Sequence, residues 1–497
     1  MSELNSKLYK LLTYIVTVYG ILILSVFPLY FENNYINILE AKVRFLKISG
    51  TIFMIVILTL VLLSAERVNV GKRDFFLLTF LLSTVCSVLV SDFKSEAFLG
   101  QKGRMLGGYV VVLCLVICFF VSRYFILKIQ WFYLFMFSNA IVFLLGVLNY
   151  FQIDPLRMYE NLIESQHTIF YSTIGNTNFL SSYICLIVPV MMGVFYTTKR
   201  RMLFFLSIPF LVLVFFCTFA MKSDSWILGI GGAFVVFFLF AFQSVLYMRR
   251  FIILVGTFLV SCILAKLFIY PDISMNLDTS LAELIIYGVR AHFFFQWEII
   301  TFEILLVLFL ICYSRLAKKE KVFVWLRRIV YGIFIMAALL VLIRYAEYTI
   351  MIASGDRFGS GRGYIFRTTW QRFLDLPLKN KIFGYGMNGY SRWINNNTLT
   401  EVIDFQYRNF IDAHNDFLQV LITSGVFGVI GYFGFLLFSL YSFVKKLINS
   451  PVFLAGIAMI VSFLMQGAVN SVQVFTLPVL LVLLGVFENF YRREVNF

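Results

Sequence analysis

Residues 202–221 read MLFFLSIPFLVLVFFCTFAM, twenty positions without a charge, entered through Lys199, Arg200 and Arg201 and left through Lys222 and Asp224. At about 1.5 Å of helix rise per residue, such a run covers the roughly 30 Å hydrocarbon thickness of a bilayer. A helix also satisfies its own backbone there, where no water can. Runs of this kind recur along the chain, and fourteen can be drawn: 9–30, 48–65, 75–91, 108–127, 130–150, 177–196, 202–221, 225–247, 251–270, 296–314, 328–346, 414–443, 452–470 and 473–491. Sixty-one per cent of the 497 residues are hydrophobic and 13% are charged, too apolar a balance for a single soluble core. The expected fold class is all-α, a polytopic integral membrane protein of about 14 transmembrane helices with one large extracytoplasmic loop. Lys7 and Lys10 precede the first apolar run with no small-residue cleavage pattern after it, so that run reads as a retained helix.

Basic residues set the orientation, because Lys and Arg near helix ends resist translocation. With the N-terminus cytoplasmic, every second loop should be basic, and those loops carry Arg67, Lys72 and Arg73; Arg123 and Lys128; Lys199 to Arg201; Arg249 and Arg250; Arg315 to Arg328; Lys445 and Lys446; and Arg492 and Arg493. Both termini are therefore expected in the cytoplasm. Two early outer loops, with Lys42, Arg44 and Lys47 and with Lys94, Lys102 and Arg104, run against the pattern without reversing it. Loops bordering anionic lipid account for much of the net charge of +15, so nucleic acid is not implied. All seven cysteines fall inside apolar spans without metal-ligand spacing, so neither disulfides nor a bound metal are expected.

The chain divides into N-terminal helices (1–150), central helices (151–346), a large outer loop with a short helix (347–413) and C-terminal helices (414–497). In the loop, GDRFGSGRGYIFRTTWQRFLDLP predicts a helix over about 361–375, capped by Ser360, with Ile365, Phe366, Thr369, Trp370 and Phe373 as an apolar side facing the membrane interface. FGYGMNGY (383–390) and the irregular NNNTLTEVIDFQYRNF follow. The middle of the loop offers little to bury, so its order is expected to depend on substrate.

His414, one of three histidines, stands where this loop enters the next span, flanked by Asp412, Asn415 and Asp416. A helix beginning there would put Asp412 near the N-cap and His414 on the same face as Leu418. The helix dipole disfavours imidazolium and the carboxylates favour it, which places the expected pKa near neutrality, as a general base requires. Eight basic residues crowd the same loop, among them Arg357, Arg362 and Arg367, and guanidinium forks suit phosphate oxygens. For most of them a solvated loop attracted to lipid phosphates explains as much. Arg362 differs by standing in a Ser-Gly-Arg-Gly turn at a helix start, where backbone N–H groups add to an anion site. Asn176 and its neighbours in GNTNFLSSY (175–183) cap a helix or line a cavity mouth. Lys222 and Asp224 in MKSDSW either pair in a tight hairpin or face the site from across the bundle.

Taken together, GN-x-N-x-L (175–180), SGR-G (360–363), GYGMNGY (384–390) and AHNDFLQVLITSGVFGVIGYFGF (413–435) resemble the O-antigen polymerase and O-antigen ligase family of bacterial surface-polysaccharide enzymes. Their order and spacing agree over about 175–490. The resemblance implies a metal-independent membrane glycosyltransferase, without a cofactor, whose donor is a polyprenyl-diphosphate-linked glycan and which works at the outer face of the bacterial cytoplasmic membrane. His414 matches the histidine implicated in deprotonating the acceptor hydroxyl, and Arg362 an arginine implicated in holding the donor diphosphate. Arg367, Arg357, Asn415, Lys222 and Asn176 are the expected substrate-binding neighbours. One departure stands out: where many relatives carry Ser-Arg-Gly, this chain has Ser223-Asp224-Ser225.

The first expected function is polymerisation of lipid-linked repeat units into a surface polysaccharide. Its alternative is a ligase that moves the glycan to a lipid, wall or protein acceptor. A lipid-linked oligosaccharide flippase or another transporter would centre on Lys266, the one clear mid-span cation. A scaffold for other polysaccharide-assembly proteins would need no single polar residue. The expected partners are thus the glycan donor, the glycan acceptor and membrane lipid.

Overall fold

The computed structural model describes residues 3–64, 69–100, 104–221, 223–269, 358–398 and 410–495, with isolated positions between 294 and 336. It shows a multi-pass, helical membrane protein. Ten helices fill the first 269 residues: α1 (Glu3–Ile21, continued by a π-helical turn Leu22–Val26), α2 (Ile38–Ser64), α3 (Lys72–Val90), α4 (Lys94–Leu99), α5 (Gly108–Tyr124), α6 (Ile129–Tyr150), α7 (Thr177–Thr197), α8 (Arg201–Ala220), α9 (Trp226–Ala241) and α10 (Val245–Phe268). Before α7, Phe170–Tyr171 and Gly175–Asn176 pair as a two-residue antiparallel hairpin. The loop region contributes α11 (Phe358–Leu374), α12 (Leu378–Phe383) and α13 (Tyr390–Thr398), and α14 (Asp416–Leu447), α15 (Phe453–Gly467) and α16 (Leu477–Val495) close the chain. Among the described residues eight helical segments are long and apolar enough to span a membrane, and α5, α9 and α15 are shorter apolar helices. The expected spans at 296–314 and 328–346 lie largely outside the described residues.

Three boundaries differ from expectation, each for a local reason. Helix α2 starts ten residues before the expected 48, which takes Lys42, Arg44 and Lys47 out of the loop and into the helix. Lys42 is fully buried there, and its Nζ donates to the carbonyls of Phe27 (2.6 Å) and Pro28 (2.8 Å), which the end of the first span leaves without helical donors. The break between α9 and α10 falls at Phe242–Ser244, before Arg249 and Arg250, because the Ser244 hydroxyl caps α10 by accepting from Tyr247 N–H. Arg250 then folds back to donate to Tyr196 O (2.5 Å) and Thr198 O (2.7 Å) at the end of α7. Helix α14 is interrupted at Gly425, where φ is 68°.

That interruption positions the loop. The carbonyls it releases are met from outside the helix: Tyr385 N–H donates to Ile422 O (2.7 Å), Gly386 N–H to Thr423 O (3.3 Å), and the Ser87 hydroxyl of α3 also donates to Thr423 O. The two backbones approach so closely that a Cβ on Gly384 would lie 2.3 Å from Thr423 O, and one on Gly425 would lie 2.2 Å from Ile382 O. FGYGMNGY is therefore a docking strip for the broken helix.

The region around it has a core of its own. Ile365, Phe373, Tyr390, Trp393, Ile394, Ala413, Leu418, Leu421 and Ile422 form a cluster separate from the main one, and Tyr390 Oη hydrogen-bonds Thr369 Oγ1 at 2.7 Å. The middle of the loop thus buries more than its composition promised, because the aromatic residues of α13 fold under α11. In the main bundle α14 lies along α3, α16 along α5, α15 against α7 and α9, and α10 against α8.

Candidate functional site

Residues 410–415 form a bent, non-helical approach to α14, and the side chain that caps this helix is Asn415, whose Oδ1 accepts from Leu418 N–H at 2.9 Å. Asp412 does not act as the cap. One of its oxygens, Oδ1, accepts from His414 N–H (3.1 Å), and the other accepts from the Ser471 hydroxyl (2.8 Å) and contacts the Arg104 guanidinium. His414 itself precedes the helix with a left-handed φ of 46°, so it does not share a face with Leu418. The neighbouring anchors are Asn415 Nδ2, which donates to Ala468 O (3.0 Å), and Ala413 N–H, which donates to Gln419 Oε1 (2.9 Å). Loops from both ends of the sequence therefore hold the histidine.

The imidazole is 29% exposed, while the Asp412 side chain 3.3 Å from its Nδ1 is 1% exposed. Nδ1 is buried, so the accessible part of the ring is the opposite edge, which carries Nε2. Burial, together with the Arg362 and Arg104 guanidiniums, holds the imidazole neutral and lowers its pKa to about 3. This corrects the expectation of a pKa near neutrality: the ring is buried, and two cations stand beside it. Burial also lowers Arg104, to about 10, which leaves it charged at neutral pH.

Arg362 lies near the start of α11, just after Gly361, whose φ is 97°. Burial lowers the Arg362 pKa and the carboxylate of Asp224 opposes that shift. The corner before α9 therefore faces the site from across the bundle, but with a negative charge. Arg367, further along α11, places its guanidinium over the Tyr364 ring at 5.7 Å. Arg392 is committed elsewhere, to Glu96 at 2.6 Å. Asn176 caps α7 by accepting from Asn178 N–H (2.9 Å). Asn178 is the residue that reaches the corner, accepting from the Ser223 hydroxyl at 2.8 Å. Arg357 and Lys222 lie outside the described residues.

Of the expected site residues, the structure brings His414, Asn415 and Arg362 together. It adds Asp224, Arg104 and Ser471. Arg104 had stood out only as an outer-loop cation against the charge pattern, and the reason it is there is now visible: it neutralises a buried carboxylate. Behind Asp412, a cavity of about 40 Å³ is lined by Arg104, Asn388, Gln419, Thr423, Ser471 and Gln473, among others.

No curated protein matches the chain at a significant level. Residues 298–433, the stretch that holds Arg362, the docking strip, His414 and the broken helix, match the family model described as O-antigen ligase. The chain thus carries a domain of the O-antigen ligase family, whose members are membrane enzymes of surface-polysaccharide assembly.

Proposed function

We propose that the protein polymerises polyprenyl-diphosphate-linked oligosaccharide repeat units into a bacterial surface polysaccharide at the outer face of the cytoplasmic membrane. The observation that supports this most directly is a neutral, part-exposed His414 in the field of Arg362, two residues brought from opposite ends of the large loop into one polar recess. The acceptor hydroxyl oxygen attacks the anomeric carbon of the donor sugar as Nε2 of His414 takes its proton. The bond from that carbon to the diphosphate oxygen breaks, and polyprenyl diphosphate leaves. Arg362 stabilises the charge that develops on the leaving oxygens. Arg367, Arg357, Asn415, Lys222 and Asn176 are proposed to bind the substrate.

A ligase would use the same two residues on a different acceptor, and the family description favours keeping that reading beside the first. A gel ladder of surface glycan separates them, in a deletion strain complemented with wild type, His414→Ala or Arg362→Ala at equal membrane levels. Polymerase activity predicts a ladder for wild type and single lipid-linked units for both variants. Long lipid-linked chains that never reach a final acceptor would identify a ligase, and wild-type ladders from both variants would refute the site.

A further inference from the structure

We propose that Asp412 and Arg104 are the positioning pair of His414: Asp412 holds the ring with its proton on Nδ1, which leaves Nε2 as the acceptor, and Arg104 holds Asp412. The inference rests on the reading of His414 as the base and adds two residues to it. One of them, Arg104, lies in the N-terminal half, outside the stretch that matches the family.

The geometry carries it in three steps. A carboxylate as buried as Asp412 needs compensation, and its two oxygens divide the work. Oδ2 takes Arg104 and the Ser471 hydroxyl, while Oδ1 takes the His414 N–H and lies 3.3 Å from Nδ1. The left-handed backbone at His414 is what folds the ring back toward a carboxylate only two residues earlier. Such a conformation is strained in a residue other than glycine, so it persists only where the surroundings enforce it. The buried Nδ1 makes no aligned hydrogen bond as it stands, and the carboxylate oxygen beside it is Asp412 Oδ1 at 3.3 Å, so Oδ1 is the atom placed to receive its proton. Arg104 is fixed in turn, with its guanidinium 5.3 Å from the centre of the Phe179 ring at the start of α7. The Arg104 contact also cancels the carboxylate's charge, so Asp412 orients the ring without making it cationic.

Asp412→Asn separates orientation from scaffolding. The amide oxygen is drawn to Arg104 by the stronger, charge-assisted contact, which turns the NH2 group toward Nδ1 and imposes the opposite tautomer. The chain has three histidines, so a His167→Gln, His292→Gln background leaves a single imidazole for 15N NMR of the full-length protein in nanodiscs. We expect Nδ1–H with a bare Nε2 at pH 7, and Nε2–H after Asp412→Asn. Transfer from the strain's own extracted lipid-linked glycan should then fall about 10²- to 10⁴-fold in kcat, with KM within about threefold of wild type. Arg104→Ala should lower kcat roughly 10- to 100-fold, and Arg104→Lys should recover part of that loss. A wild-type ring protonated on Nε2, or a tautomer indifferent to Asp412→Asn, overturns the proposal. So does a switched tautomer with unchanged kcat. If His414→Ala itself transfers glycan at the wild-type rate, the base assignment under Proposed function fails instead, and the tautomer result identifies which of the two is wrong.

Discussion

His414 shows how far a neighbourhood can move a side chain from what its sequence context suggests. Asp412 and Asp416 flank it in the chain, yet burial and the charges of Arg362 and Arg104, from α11 and from the segment before α5, outweigh the Asp412 carboxylate 3.3 Å from the ring. Its pKa is depressed, so the imidazole stays neutral as pH falls through the ordinary histidine range near 6.5. The free enzyme should therefore show no acid limb in kcat/KM between about pH 5 and 8. A bound diphosphate opposes both arginines and must raise the pKa, so kcat, which reports the bound complex, should acquire an acid limb that kcat/KM lacks. Paired pH profiles check this, and matching limbs near 6.5 in both would contradict it. Asp224 makes a second case. Its carboxylate offsets part of the Arg362 charge, so Asp224→Asn should tighten donor binding roughly 3- to 10-fold in KM and leave kcat nearly unchanged. A weaker KM would mean that Asp224 holds Arg362 in place and does not moderate it.

Among the elements, α14 and the loop that docks on it decide the shape of the site. The hydropathy of TSGVFGVIGYFGF reads as an uninterrupted span, because nothing in a single helix shows that its Gly425 carries a left-handed φ. The break exists because carbonyls 422 and 423 have partners elsewhere, on Tyr385, Gly386 and Ser87, and that pairing is long-range. Gly425→Ala would place a Cβ against Ile382 O and strain the backbone, at a cost of about 1–3 kcal/mol. Thermal unfolding in detergent should show a lower Tm for it than for Gly231→Ala, where a Cβ meets nothing within 4 Å. Equal midpoints would mean that the docking is loose. Most of the described spans were readable, since an uncharged run of bilayer length admits few alternatives, and the proximity of Arg362 and His414 was foreshadowed by the motifs they stand in. Arg104, Ser471 and the true cap Asn415 were not, because local spacing cannot say which distant carboxylate an arginine will meet. Tyr390, Trp393 and Ile394 were likewise hidden, reading as an exposed loop until α11 and α14 supplied their other walls.

Across the whole bundle, charge sits at two ends for two different reasons. At the end away from His414, Asp74 of α3 accepts from Arg123 of α5 (2.7 Å) and Arg492 of α16 (3.0 Å), and Glu488 accepts from Arg492 (2.8 Å). Arg73 stacks 3.9 Å from the centre of the Tyr491 ring. These cations, counted from sequence as markers of a cytoplasmic face, also bolt three helices together; the proposed orientation puts this end in the cytoplasm. Under that orientation Glu160, exposed beside the His414 end, faces outward, and Asn449, exposed between α14 and α15, faces the cytoplasm. Cys114, Cys118, Cys185, Cys217 and Cys262 are buried, and a Cys86→Ser, Cys312→Ser background removes the other two cysteines. A membrane-impermeant maleimide applied to intact cells (spheroplasts if an outer membrane intervenes) should modify Glu160→Cys at once and Asn449→Cys only after permeabilisation. The reverse result would put His414 on the cytoplasmic side, where a lipid-linked glycan would be met before it crosses the membrane, and assembly at the outer surface would have to be abandoned. The same pair also probes the arginine cluster: Asp74→Ala takes the carboxylate from the buried Arg123 guanidinium, at a cost of about 3–5 kcal/mol. It should therefore reduce the amount of folded protein while leaving the side on which each cysteine is labelled unchanged.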